Sequence, residues 1–238
     1  KLKYGAPIVQ RVGDVGTHGK PWLTDLVKAS SEISDMLVFP SLWAKERIQF
    51  SGDNYKIIHN APLEEFYENR SANKPDSKIG IITHHWSTNP KKGFDFYRAL
   101  DNCLPDLENI DFTYVGRLPD GFKFKNSNYI KAIGDNRALA EILSSNDIYL
   151  TASEEEAGAN HVLESLACGL PVAYHKNGGS IVEYCSEYGE GYSDIDSMFV
   201  AIDKITNNYL TLRDRVLCYK NNITNVVSEY MDIICDMA

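Results

Sequence analysis

The chain has 238 residues, 43% of them hydrophobic and 24% charged, and a formal net charge of −9. This is an ordinary globular composition, long enough for one large domain or for one domain and part of a second. The acidic balance, with basic residues in pairs (Lys91-Lys92, Lys123/Lys125) rather than patches, argues against a nucleic-acid partner, and no apolar run approaches the roughly 18 residues of a membrane span. In chain order, Ala6–Val12 reads as a short buried strand closed by the turn Gly13-Asp14-Val15-Gly16. A helix is expected over Leu23–Ile33, a strand over Asp35–Phe39, a helix over Leu42–Phe50 capped by Ser41, and a strand over Tyr55–His59. The polar, breaker-rich interval Glu68–Ser77 then reads as a domain boundary.

A second α/β series follows. Strands are expected at Lys78–Thr83, Asp111–Gly116, Tyr129–Ile133, Asp147–Thr151 and Pro171–Tyr174. Helices fall at Phe94–Cys103, Ala138–Leu143, His161–Ala167 and from Ile181, and Ser193–Ala238 reads as helical with a break near Asn207-Asn208. Strands alternating with short helices imply an α/β fold, a doubly wound, mostly parallel sheet covered on both faces. The first series is too short to bury both faces of a sheet. The expected organisation is therefore residues 1–74 as the tail of one Rossmann-like domain, 75–220 as a complete one, and 221–238 as a terminal helix returning to the first segment. Lys1 in place of a methionine marks a processed chain or a fragment. Five cysteines without zinc-like spacing fit a reducing compartment.

In a doubly wound sheet, strand carboxyl ends and helix amino ends meet at one edge. Three polar segments belong there: Thr83–Ser87 with Lys91-Lys92-Gly93, Ser153–Asn160, and Gly178-Gly179-Ser180. A glycine pair before a helix offers unhindered N–H groups to phosphate, and Lys92 offers a neutralising charge. Glu156 and Glu164, eight positions apart across a small-residue turn, would repel phosphate and suit sugar hydroxyls instead. Together they suggest a nucleotide-sugar, with ribose at Glu164, diphosphate at Lys92 and Gly178–Ser180, and hexose near Glu156. Glu154 and Glu155 remain rivals of Glu156 in neighbouring registers, as Lys91 is of Lys92. His161 falls in the first turn of its helix near the ligand. It lacks the second histidine of H-E-x-x-H, and no metal site is expected.

The run E-A-G-A-N-H-V-L-E-S-L-A-C-G-L-P-V-A-Y-H-K-N-G-G-S-I-V-E resembles the E-x7-E region of the family 4 GT-B glycosyltransferases. The upstream N-P-K-K-G-F-D and K-I-I-H-N-A-P resemble the same family's K-G and I-x-N-G-V elements, so the likeness spans about Asp35 to Glu183. The resemblance implies a GT-B fold and a metal-independent glycosyltransferase. Its reaction would move a hexose-type sugar, with retention, from a UDP- or GDP-linked donor to a glycan, lipid or small-molecule hydroxyl. It implies Glu156 and Lys92 as the catalytic pair. Glu164, Lys92, Gly93, Ser87, Ile133, Gly178, Gly179, Ser180 and His161 would surround the donor, with no further cofactor. Ala157 and Ala159 replace the usual proline and glycine, Ser87 stands where an arginine is usual, and R-V-G-D stands where many members carry H-G. His84, His85 or Arg117 are candidates to replace the missing charge, and Arg11 or Asp14 to act on the acceptor side. Glu183 lies one residue beyond the usual acid of the G-G-x-x-E turn. A cytoplasmic protein is implied, with peripheral contact to a membrane face left open. Two rival readings share this geometry: a GT-B-like nucleotide-sugar epimerase, and a binding module inactive without a missing domain.

Overall fold

Two parallel sheets organise the chain. The computed structural model describes residues 5–70 and 78–237. The first sheet holds β1 (Val9–Arg11), β2 (Met36–Phe39) and β3 (Tyr55–Ile57) in sequential order, connected by α1 (Trp22–Ser31) and α2 (Leu42–Arg47). Ser41 caps α2 as expected, its hydroxyl accepting from the Ala44 N–H at 3.0 Å. After the four-residue helix α3 (Glu65–Glu68), the expected boundary at residues 74 and 75 lies outside the described residues.

The second sheet has six strands: β4 (Ile79–His85), β5 (Ile110–Gly116), β6 (Asn128–Lys131), β7 (Ile148–Thr151), β8 (Val172–His175) and β9 (Gly189–Tyr192). Their spatial order is β6-β5-β4-β7-β8-β9, every pair parallel. The chain winds outward from β4 in one direction and from β7 in the other, so the space above the β4–β7 pair is a topological switch point.

Side chains alternate across this sheet. Ile82, Tyr149 and Val172 pack towards α5 (Asn136–Ser144), α6 (Asn160–Ala167) and α7 (Ser180–Cys185). Ile81, Ile148, Leu150 and Ala173 pack towards α4 (Phe94–Cys103), α8 (Ile195–Asn207) and α9 (Tyr209–Leu217). Both faces are thereby covered. The smaller sheet packs Leu37 and Phe39 against Val27, Ala44 and Ile48 on one face. On its other face Val38 and Ile58 meet Ile233 of α10 (Ile223–Met237).

Three features depart from expectation. β9 is a strand that the sequence does not announce: G-E-G-Y lacks apolar alternation, and in the structure only Tyr192 of it is buried. α3, at four residues, is too short for a periodic signal. The terminal helical region breaks twice, after Asn207 and again between Leu217 and Ile223, where one break was expected.

Candidate functional site

A cavity of about 490 Å³ opens above the carboxyl ends of β4 and β7. Its position follows from the topology: at the switch point the connections leave in opposite directions and a crevice is left between them. β4 supplies His84 and His85, the turn after β4 supplies Trp86, Ser87 and Lys92, and the loop after β7 supplies Glu156 and Gly158. α6 turns its amino end to the cavity through Ala159, Asn160 and His161, with Glu164 one turn further on. Ala132, Ile133 and Gly134 close the far side.

Lys92 is brought inside by a tight turn. The Asn89 side chain accepts from the Lys91 N–H at 2.9 Å and starts a single 3₁₀ turn over Pro90–Lys92. Gly93 then takes φ +73°, where an added Cβ would lie 2.4 Å from the Ala152 carbonyl oxygen. Only glycine fits, so the close packing of the turn on β7 depends on that residue. The Lys92 side chain, 10% exposed, pairs with that of Glu156, 14% exposed. Next to it Lys91 pairs with Glu155 on more open ground, where both side chains are over a third exposed or nearly so, at 37% and 34%. The two registers left open by the sequence are thus both used: Lys92 with Glu156 faces the cavity, and Lys91 with Glu155 buttresses it from outside.

The loop carrying Glu156 is held by its backbone. The Glu154 N–H donates to the Lys91 carbonyl at 2.8 Å, and the Glu155 N–H to that of Asn177 at 2.8 Å. The Glu156 N–H donates to the Gly178 carbonyl at 3.1 Å, and the Ser180 N–H to the Glu156 carbonyl at 2.9 Å. Glu155 itself sits at φ +54°, unusual for a residue with a side chain. The first sheet grips the same loop. The Thr17 hydroxyl donates to the Glu155 carbonyl and the Ser41 hydroxyl to that of Ala157, both at 2.8 Å, and the His18 ring meets the Glu154 carbonyl at 2.9 Å. Ala157 is buried in the core of the first sheet.

This bonding changes the reading of the glycine turn. Gly93, Gly178, Gly179 and Ser180 do not line the cavity. The Gly178 N–H donates to the His175 carbonyl at 2.9 Å and the Ser180 N–H is used by Glu156, so these two amides are already bonded within the protein. A Cβ on Gly179 (φ +68°) would lie 2.6 Å from the Glu156 carbonyl oxygen. The turn is a support for the acid loop. Of the remaining expected residues, Lys92, Glu156, Glu164, Ser87, Ile133 and His161 all line the cavity. Glu183 is engaged elsewhere: its carboxylate accepts from the Leu42 and Trp43 N–H groups at 3.0 and 2.6 Å, at the amino end of α2.

The cavity histidines His84, His85 and His161 lie in a network of close contacts. His84 Nε2 lies 2.8 Å from the Glu164 carboxylate, and its Nδ1 lies 3.1 Å from the Tyr149 hydroxyl. On the opposite side of β4, the Tyr97 hydroxyl accepts from the Ala152 N–H at 3.0 Å and is 2.6 Å from His85 Nε2. His85 Nδ1 is buried and has no hydrogen-bond partner among the described residues. Burial, followed by the nearby Lys92 charge, holds the His85 and His161 rings well below the ordinary histidine value and so neutral. Adjacent positions at the end of a strand, pointing to opposite faces, were the available signal for His84 and His85. Lys92 is then the one Lys or Arg among the described residues lining the cavity, although Arg117 stacks on Trp86 at its rim, 4.5 Å from the ring centre. Among the described residues no group of three or more His, Cys, Asp and Glu side chains is arranged to hold a metal ion.

No protein-family model and no curated protein matches the sequence. Solved structures do match. The HepE structure from Anabaena in complex with UDP and glucose superposes with a TM-score of 0.74 at 14% identity, over 96% of this chain and 71% of that one. WaaG, a glycosyltransferase involved in lipopolysaccharide biosynthesis, gives 0.70 at 16% identity, over 96% and 75%. Sucrose-phosphate synthase from Thermosynechococcus elongatus gives 0.74 at 16% identity, over 96% and 67%. The mixed α/β architecture with parallel sheets is therefore that of the GT-B glycosyltransferases. At these identities the likeness speaks for the fold.

Proposed function

We propose that this chain is a glycosyltransferase that takes a hexose-type sugar from a nucleoside-diphosphate donor and passes it, with retention and without a metal ion, to a hydroxyl acceptor. The observation that carries the reading is the pairing of Lys92 with Glu156 at one side of the switch-point cavity and of His84 with Glu164 at the other. Such a set suits a nucleotide-sugar, with an acid for the ribose hydroxyls, a cation for the diphosphate and a second acid for the sugar. Glu164 would accept from the ribose hydroxyls, exchanging its His84 partner for them. The base would lie against Ala132–Ile133, and Glu156 would orient the sugar.

Lys92 has three N–H donors, enough to keep Glu156 and hold a phosphate oxygen together. As the donor bond breaks, negative charge collects on the diphosphate and positive charge on the anomeric carbon. A buried ammonium beside the first and a carboxylate beside the second stabilise both in a site of low dielectric. The amino end of α6 adds its dipole on the same side. In this reading residues 75–220 are the donor side, residues 1–74 belong to the acceptor side, and 221–238 tie the two together. The acceptor is a glycan, lipid or small molecule and the location cytoplasmic, with peripheral membrane contact where the acceptor is a lipid.

Calorimetric titration with UDP, GDP and ADP, without added metal, tests the reading on the wild type and on Lys92→Ala. Selective binding to one of them, weakened tenfold or more in the variant, is expected. Turnover with release of that diphosphate, lost in Glu156→Ala while nucleotide binding persists, separates a transferase from a binding module. Equal binding by wild type and Lys92→Ala would overturn the assignment.

A further inference from the structure

A second, smaller cavity of about 240 Å³ adjoins the first, and its lining differs in charge. It lies between the end of β1, the crossing segment His59–Ala61 and α10, and Asn160 lines both cavities. Arg11 is its one charged lining residue, and no carboxylate lines it. Glu183 and Glu229 influence neighbouring His59, but both stand outside the lining, and Glu183 is bonded to α2.

The Arg11 guanidinium is oriented by neutral groups. Its Nη2 donates to Asn60 Oδ1 at 2.7 Å. Asn60 Nδ2 in turn donates to Asn160 Oδ1 at 2.8 Å, linking β1 to the first residue of α6. The other edge of the guanidinium lies over Gly13, where an added Cβ would be 3.0 Å from Nη1. Among the described residues Arg11 forms no ion pair with a carboxylate. In a chain of net charge −9, an arginine with neutral partners facing a cavity keeps its charge free for an oxyanion.

We infer that the Arg11 cavity is the acceptor subsite, and that it takes a sugar-sized acceptor bearing a carboxylate or a phosphate. The inference rests on the transferase reading, since it is the shared Asn160 that brings such an acceptor beside the donor cavity. At about half the volume of the first cavity, the Arg11 cavity suits a ligand smaller than a nucleotide-sugar, such as one ring and its substituent. Glucuronic acid presents the carboxylate and glucose 6-phosphate the phosphate, while glucose presents neither.

The test is titration of these three sugars, followed by calorimetry or ligand-observed NMR, into wild type, Arg11→Gln and Arg11→Lys, with and without UDP. At least one acidic sugar is expected to bind tenfold or more tightly than glucose, and the preferred one identifies the anion. Arg11→Gln is expected to abolish the preference and Arg11→Lys to retain part of it, with thermal melting confirming that each variant is folded. Equal binding of the three sugars by wild type, or a preference that survives in Arg11→Gln, would overturn the inference. UDP titration of the same samples reads the donor cavity separately. Absence of UDP binding with the Arg11 preference intact would remove the transferase reading and leave an anion site.

Discussion

The two sheets are built from the same strand–helix units yet are held together differently. The six-stranded sheet has helices on both faces and two cores containing many wholly buried side chains. The three-stranded sheet has one such core, and on its other face, among the described residues, the buried cluster is Val38, Ile58 and the returning Ile233. It gains further hold from the acid loop, through Thr17, His18, Ser41 and buried Ala157. The proposed catalytic loop thus belongs to both parts: its backbone is fixed from the larger sheet and its outer surface from the smaller.

Core truncation gives the largest contrast. Leu166→Ala, wholly buried in the larger core, is expected to cost about 3–5 kcal/mol, and Ile233→Ala, against the thin layer of Val38 and Ile58, about 2 kcal/mol, read from denaturant midpoints. Equal losses would mean that the smaller sheet has a core of matching strength.

Acid is expected to act mainly on the larger sheet. The folded values of His85 and His161 lie well below 6.5, so as pH falls the unfolded chain binds protons that the folded chain refuses. Their contribution is complete above about pH 7 and declines through pH 6.5 and below, by up to about 1.4 kcal/mol per pH unit for each ring. His59, at the junction, shifts the same way, with its burial opposed by Glu183 and Glu229. Denaturation curves at pH 7.5, 6.5 and 5.5 check this, and stability that rises on acidification would contradict it.

The neighbouring lysines sharpen the contrast between the inside and outside of the acid loop. Lys92→Met leaves a largely buried Glu156 unpaired and is expected to weaken UDP binding at least tenfold, about 1.4 kcal/mol. Lys91→Met removes a more open pair and is expected to change binding by less than about twofold. The smallest effect belongs to Glu183→Gln, which removes the charge from the α2 amino end but keeps an acceptor there and should cost about 0.3 kcal/mol, seen first in the near-ultraviolet signal of Trp43.

Much of this architecture could be read in advance because it depends on local order. Apolar runs such as Ile148–Thr151 and the cap at Ser41 carry their structure in neighbouring residues, and Phe94–Cys103 forms its helix at the expected ends. β9 escaped because its pairing comes from β8, with little apolar pattern of its own. The candidate site divides the same way. Glu156 and Glu164 could be placed at one sheet edge from an acid loop followed by a helix, but neither spacing nor composition says which lysine meets which acid.

The alternation of strands and helices, the edge at which polar residues gather, and the small-residue turn between the two acids are all legible in the order of residues. These follow from periodicity and from steric rules acting over a few residues. Tertiary structure alone decided that Lys92 turns inward and Lys91 outward, that Gly178–Ser180 braces the acid loop, that Glu183 caps α2, and that His84 holds Glu164. Each of those outcomes is a contact between segments far apart in the chain. Such contacts depend on backbone groups already bonded elsewhere and on the space left between two sheets, which no local pattern encodes.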